Sequence, residues 1–336
     1  MKRYLLGAAL AFAAMPALAQ PAADTVGVIR QRGQLICGVA INSPGFAMPD
    51  SRGEIRGLDA DTCRAVAAAV LGDASRVRFA PNTTQQRFTM LQSGEIDLLV
   101  RNTTWTLGRE ASLGLAFAGV NFYDGQGFMV RRNSGVTSAR QLDGATICVA
   151  PGTTTELNLA DYFRTQRMRF TPVIIENVEE IRSAFVSGRC DAYTTDASSL
   201  ASFRATRTTD REDFVLLPEI ISKEPLGPVV RKGDWKWFDL VRWSLFAQVA
   251  AEELGITSEN VDQQLGSTNP DVQRLLGRTG ELGRALGVDN DWAVRIIRQV
   301  GNYGEMYERN ITPIGIPRGV NDLWTRGGLQ YAPPVR

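Results

Sequence analysis

From residue 34 onward, short apolar runs alternate with amphipathic stretches. Residues 34–39 predict a strand. Residues 60–71 predict a helix, because Cys63, Val66, Ala67, Val70 and Leu71 share one face, with Asp59 as cap and Gly72 as stop. A strand at 77–79, a helix over 85–92 begun by Thr84 and ended by Gly94, and a strand at 97–100 complete a βαβαβ rhythm, the pattern of a parallel α/β sheet. The rhythm restarts with a strand at 146–149, a helix over 156–163, a strand at 173–175, a helix over 178–186 stopped by Gly188, and strands at 191–194 and 214–217. Two α/β units of similar layout are expected.

Two Gly-led segments, Gly127-Phe128-Met129-Val130-Arg131-Arg132 and Gly227-Pro228-Val229-Val230-Arg231-Lys232, resemble each other. Read as outgoing and returning crossovers, they divide the chain into a first lobe of residues 20–128 plus 229–336 and an inserted second lobe of residues 129–228. A helix over about 235–253 carries the chain back into the first lobe. The remaining tail reads as helical and polar, punctuated by Gly277, Gly280, Gly283 and Gly287, with no recognisable chemistry.

The start of the chain changes the picture of where this fold resides. Lys2 and Arg3 precede an apolar run from Tyr4 to Met15; Pro16 breaks it, and Ala17-Leu18-Ala19 then fits signal cleavage before Gln20. Residues 1–19 are therefore expected to be a signal peptide and the mature protein to be exported. No later stretch approaches the roughly 20 apolar residues of a membrane helix. The whole chain has 37 basic and 36 acidic residues, and without Lys2 and Arg3 the balance is 35 to 36. Such neutrality argues against nucleic acid as a partner. With no His among 336 residues, the commonest general base and metal ligand is missing; no metal or cofactor is expected. Four Cys in an exported chain suggest two disulfides. Cys37–Cys63 and Cys148–Cys190 are the pairs expected, since either alternative would tie one lobe to the other and hinder closure.

Three segments carry candidate chemistry. Asn102-Thr103-Thr104-Trp105-Thr106-Leu107-Gly108-Arg109 follows a buried strand, and in open α/β sheets ligands bind at the carboxyl ends of strands. It offers small polar side chains and one Arg, whose fork of donors matches a carboxylate. Gly152-Thr153-Thr154-Thr155-Glu156 joins a strand to a helix start, where free N–H groups suit an anion. Asp191-Ala192-Tyr193-Thr194-Thr195-Asp196 delivers an acid to a strand end, fit for an ammonium or for capping the next helix. Together they suggest a trap for a zwitterion, both of whose charges need charge-assisted partners once desolvated.

The run 101–109, followed by Ala116-Phe117-Ala118-Gly119-Val120-Asn121-Phe122-Tyr123, resembles the signature of periplasmic polar amino-acid-binding proteins of ABC transporters. Gly125 to Val130, Gly152 to Asp161 and Ile220 to Val230 extend the likeness, most closely to the general L-amino-acid-binding branch. The resemblance implies a two-lobed periplasmic-binding-protein fold with two crossover strands and a ligand in the cleft between the lobes. It implies a monomer that captures free L-amino acids, polar and acidic ones favoured, and docks on the permease subunits of the transporter. It implies that Arg109 grips the α-carboxylate, that Asn102 and Thr104 meet the ammonium and carboxylate, that Thr154 meets the carboxylate from the second lobe, and that Asp196 holds the ammonium. Arg87 would face the ligand side chain, with Thr84 beside it, and Gly152 and Thr153 complete the set. The acid and aromatic that several relatives place after the first strand are matched here by Ala40 and Ser43, with Phe46 nearby as the candidate wall. No catalytic step is implied. The alternatives are an exported cyclohexadienyl dehydratase-like enzyme on the same scaffold and the sensor domain of a receptor.

Overall fold

A computed structural model describes residues 24–207 and 209–336. The expected signal segment, residues 1–19, lies outside them. The chain opens with α1 (Thr25–Arg32), β1 (Leu35–Val39), a small hairpin of β2 (Met48–Pro49) and β3 (Ile55–Arg56), α2 (Leu58–Leu71), β4 (Val77–Pro81), α3 (Arg87–Ser93), β5 (Leu98–Leu99), α4 (Leu107–Ser112) and β6 (Leu115–Phe117). Next come β7 (Phe122–Asp124), β8 (Gln126–Arg131), β9 (Thr146–Val149), α5 (Thr154–Thr165), β10 (Thr171–Ile174), α6 (Val178–Val186), β11 (Ala192–Asp196), α7 (Ala197–Ala205) and β12 (Phe214–Leu216). Then follow β13 (Glu224–Leu226), β14 (Val229–Arg231), α8 (Trp235–Glu253), α9 (Val261–Gln264), α10 (Pro270–Leu275), α11 (Leu282–Ala285), α12 (Trp292–Val300) and α13 (Tyr303–Asn310).

Each lobe holds a five-stranded mixed sheet. The first runs β4-β1-β5-β14-β6 and the second β10-β9-β11-β8-β12. In both, the parallel pairs lie at one side and the strands from the crossover region join antiparallel. The crossovers themselves differ from the expectation. Residues 127–131 lie in β8 of the second sheet and residues 229–231 form β14 of the first, so both segments belong to the lobes. The chain instead changes lobe along β7 and β13, a separate antiparallel ribbon in which Asp124 faces Glu224. Residues 126–128, expected in the first lobe, therefore pair in the second sheet. The two Gly-led segments look alike because each is the strand that follows a crossover, not the crossover itself.

Most expected elements are present, with shifted ends. Helix α2 starts two residues earlier than predicted: Gly57 (φ 135°) is its cap, and Asp59 is buried in the first turn. Gly is needed there, since a Cβ at 57 would sit 2.1 Å from the carbonyl oxygen of Phe46. Helix α3 begins at Arg87 rather than Gln85, and Thr83, not Thr84, accepts from the amide of Gln86. Disulfides join Cys37 of β1 to Cys63 of α2 and Cys148 of β9 to Cys190, each within one lobe.

The tail is more than polar. Trp292, Ala293, Val294, Ile296, Ile297 and Val300 of α12 are buried, and α12 packs along α2 in the main core. Among the described residues no helix is long and apolar enough to cross a membrane.

Candidate ligand-binding site

The lobes meet. Ser202 Oγ donates to the carbonyl of Pro44 (2.8 Å), Arg182 Nη1 donates to the carbonyl of Asn42 (3.3 Å), and the hydroxyls of Thr104 and Thr154 lie 3.2 Å apart. Between them is a cavity of about 360 Å³. Its walls come from the carboxyl ends of strands in both sheets: Ala40 to Ser43 after β1, Arg101 and Asn102 after β5, Ala150 after β9 and Asp196 closing β11.

Arg87, Arg101 and Arg109 form one charged wall. Arg87 opens α3 and is buried. Its guanidinium lies 4.7 Å over the Phe88 ring, and its Nε and Nη2 have no hydrogen-bond partner among the described residues. Burial, then the nearby charges of Arg101 and Arg109, lower its pKa well below the ordinary value. Arg109 lies 5.3 Å over the same ring and donates to the carbonyl of Thr104 at 2.8 Å. Thr106 caps α4, and that helix start aims Arg109 back toward the loop that precedes it. Arg101 donates to the carbonyl of Asn82 (3.1 Å) and to Thr84 Oγ1 (3.3 Å); burial brings its pKa down to about 10.

Asn102 has φ 35°, a conformation rarely taken by a residue with a side chain, which costs on the order of 1–3 kcal/mol and is often stored at functional sites. Its backbone N–H donates to Asp59 (3.4 Å), which also accepts from Asn121 (3.3 Å). Burial pushes the Asp59 carboxyl up to about 7, opposed by these bonds and by Arg101. The Asn102 amide nitrogen has no partner among the described residues.

Asp196 faces this wall from the second lobe. It precedes α7 but makes no side-chain cap. The capping task falls to Asp124 of β7, which accepts from the amide of Ser198 (3.3 Å). Asp196 is buried and borders the cavity; burial first, then the negative charges of Asp124 and Glu224, push its pKa well up, against the pull of Arg87 and Arg109. One zone of the cavity thus offers cations and the other a carboxylate with no side-chain or cap donor among the described residues, a match to a zwitterion.

Of the residues expected at the site, Arg109, Asn102, Thr104, Arg87, Thr84, Thr153, Thr154 and Asp196 line the cavity. Thr153 does so as the cap of α5, accepting from the amide of Glu156. Two do not line it. Phe46 is buried in the core of the first lobe, edge-on to Phe122 at 5.2 Å, where its backbone oxygen receives the amides of Asp59 and Ala60 in the first turn of α2. Gly152 turns the chain at φ 66° at the rim, its amide held by Glu156 and its α-carbon facing Gln85 of the other lobe. Arg101, Arg182 and Glu224 were not foreseen. Arg101 carried a signal, an Arg directly after a buried apolar strand. Glu224 carried none: besides the neighbouring Ser222, its partners Thr154 and Asn158 lie 70 and 66 residues away.

The chain matches the bacterial extracellular solute-binding proteins, family 3, over residues 35–273. It belongs to that family. It is 52% identical to the general L-amino acid-binding periplasmic protein AapJ of Rhizobium johnstonii, over the full length of both chains. It is 55% identical to the glutamate/glutamine/aspartate/asparagine-binding protein BztA of Rhodobacter capsulatus, again over both full lengths. In structure it is similar to an ABC transporter periplasmic binding protein from Brucella ovis with glutathione bound, at TM-score 0.91 and 54% identity, covering 94% of this chain and 100% of that one. The family's members are solute-binding proteins, and the two-lobed sheet architecture described above is theirs.

Proposed function

We propose that this protein captures free L-amino acids outside the cytoplasmic membrane, with acidic and amide side chains favoured, and presents them as a monomer to the permease subunits of an ABC transporter. One observation carries the reading: three Arg and a buried Asp196 face each other across a single cavity built from both lobes. Arg109 serves the α-carboxylate, Asp196 the ammonium, and Arg87, with its unused donors, the side-chain carboxylate or amide. Asn102, Thr84, Thr104, Thr153 and Thr154 complete the polar lining. Export would follow cleavage after Ala19. Binding shifts an open–closed equilibrium about β7 and β13, by no more than the ligand's preference for the closed form. We infer no catalytic step. Calorimetry on protein stripped of bound ligand tests the reading. Glu, Gln, Asp and Asn should bind and be recovered unchanged; preference for Leu or Phe over these four would contradict it.

A second reading is favoured by the glutathione in the Brucella ovis relative and by the reach of the cavity past Asp196 to Asn177 and Arg182. There the ligand would be a γ-glutamyl peptide, its glutamyl end in the same trap. Including glutathione in the titration separates the two.

A further inference from the structure

Glu224 lies on the returning crossover strand β13 and is fully buried. The same strand region is paired with the ligand-facing loop: Trp105 N donates to Pro225 O (2.8 Å) and Gly227 N to Thr103 O (3.3 Å). An antiparallel bridge pairs Thr104 with Leu226, two residues along β13 from Glu224 and so on the same face of that strand. Its two oxygens receive three side-chain donors. Thr154 Oγ1 donates to Oε2 at 2.9 Å, while Asn158 Nδ2 (2.8 Å) and Ser222 Oγ (2.7 Å) donate to Oε1.

A carboxylate can only accept, and a hydroxyl has one proton and two lone pairs. The single proton of Thr154 is therefore spent on Glu224. Toward Thr104, 3.2 Å away, Thr154 can then only accept, so the Thr104 proton points at Thr154. The same logic holds on the other side of the carboxylate, where Ser222, having given its proton to Glu224, accepts from the amide of Gln126 (3.2 Å). Both threonine hydroxyls are left with lone pairs, and no proton, for the cavity they line.

We propose that Glu224 is a positioning residue that sets ligand specificity. By taking the Thr154 proton, it turns the Thr104–Thr154 pair into acceptors that read the ligand's ammonium. This assignment rests on the amino-acid reading above, and it changes one expected role: the Thr154 hydroxyl serves the ammonium side, not the carboxylate. Glu224 is thus the link by which the hinge, the second-lobe helix α5 and the first-lobe loop share one proton arrangement.

The experiment compares glutamate with glutarate, which lacks only the ammonium, in the full-length mature protein. In Glu224→Gln the amide oxygen can keep Asn158 and Ser222, which places the NH₂ toward Thr154; the Thr154 proton is then released into the cavity and the pair becomes a donor. Glutamate affinity should fall about tenfold or more, the loss expected for a hydrogen bond to a charged group. Glutarate affinity should stay within about threefold on the same scale, so the glutamate-to-glutarate ratio collapses. Thr154→Val, which needs no change at the hinge, should lower the same ratio. Parallel loss of both ligands, or an unchanged ratio in both variants, overturns the proposal. Wild-type protein that binds no amino acid overturns the amino-acid reading and this assignment with it, whereas a ratio that survives in the variants sinks the assignment alone.

Discussion

Replacing Asp196 by Asn should move affinity and stability in opposite directions. The carboxylate is buried, borders the cavity and makes no cap bond to α7. With ligand bound, it would meet the ammonium. Losing the charge of one partner in a buried, hydrogen-bonded pair costs about 2–5 kcal/mol, or roughly 30-fold or more in affinity. In the ligand-free protein the same carboxylate works against folding. Its pKa is raised above the unfolded value, even with Arg87 and Arg109 pulling it down. A raised acid destabilises at every pH above its folded pKa, and that cost vanishes only below its unfolded pKa. Asn has nearly the same shape and no charge, so Asp196→Asn should raise the melting temperature of the ligand-free protein at pH 7.5. Calorimetric titration with glutamate and thermal unfolding of stripped protein give the two readouts. A lower melting temperature with affinity within about threefold of wild type would mean that Asp196 is a structural residue. The zwitterion trap would then be wrong.

Arg109→Ala should weaken binding of glutamate, glutamine and alanine alike, by about 2–5 kcal/mol each, because the α-carboxylate is common to all three; calorimetry showing near-wild-type affinity for any of them would remove Arg109 from that role. Arg87→Ala should be selective in the same assay, reducing Glu and Asp affinity more than that of Ala. Thermal unfolding of ligand-free protein should show stability rising as pH is lowered from 8 toward 5, since Asp59 and Asp124 titrate at about 7 and 6 when folded and near 3.8 when unfolded. The exposed acids with lowered pKa, such as Asp73 and Asp191, act with the opposite sign but lose their contribution only below about pH 4. Peptide mapping should recover Cys37–Cys63 and Cys148–Cys190 alone, and removing either, with loops of 26 and 42 residues, should cost about 3–4 kcal/mol of stability in chemical denaturation.

What could be read from the sequence was local. Residues 178–186 are helical to the residue because Asn177 accepts from two first-turn amides and the chain leaves the helix at Ser187 and Gly188. The placement of Arg109 and Asp196 on the cavity was legible because each comes at or after the carboxyl end of a short apolar strand, Arg109 on the short helix that follows the loop after β5 and Asp196 as the last residue of β11. The errors share a cause too. Asp59 looks like a cap, yet a Gly turned by the Phe46 carbonyl occupies the cap position, and the acid is drawn inward to hold Asn102 and Asn121. Phe46 is close in sequence to cavity residues 40–43 but turns into the core against Phe122. The crossover strands are only three residues long, and three residues carry no periodicity; their pairing of Asp124 with Glu224 spans 100 positions.

A cavity that leaves Arg87 Nε and Nη2 without partners among the described residues and holds Asp196 with a raised pKa, with Asp59 buried close behind it, opposes folding, because a buried charge that is not fully compensated is costly. The compensation lies away from the cavity. Asp61, two residues from Asp59 on α2, is bound by Arg64 (3.2 Å), Arg309 (2.6 Å) and Asn310 (2.7 Å). The hydroxyl of Tyr303 donates to the carbonyl of Asn121 (2.9 Å), the residue whose side chain serves Asp59. Asn321 accepts from the amide of Tyr123 (2.7 Å) and donates to its carbonyl (2.9 Å), closing the free edge of crossover strand β7 as a third strand would. All of these C-terminal partners lie beyond residue 273, where the match to the family ends. The tail therefore does not contribute chemistry to the cavity. It fixes α2 and one hinge strand from behind, so that the residues lining the cavity can stay poised rather than satisfied.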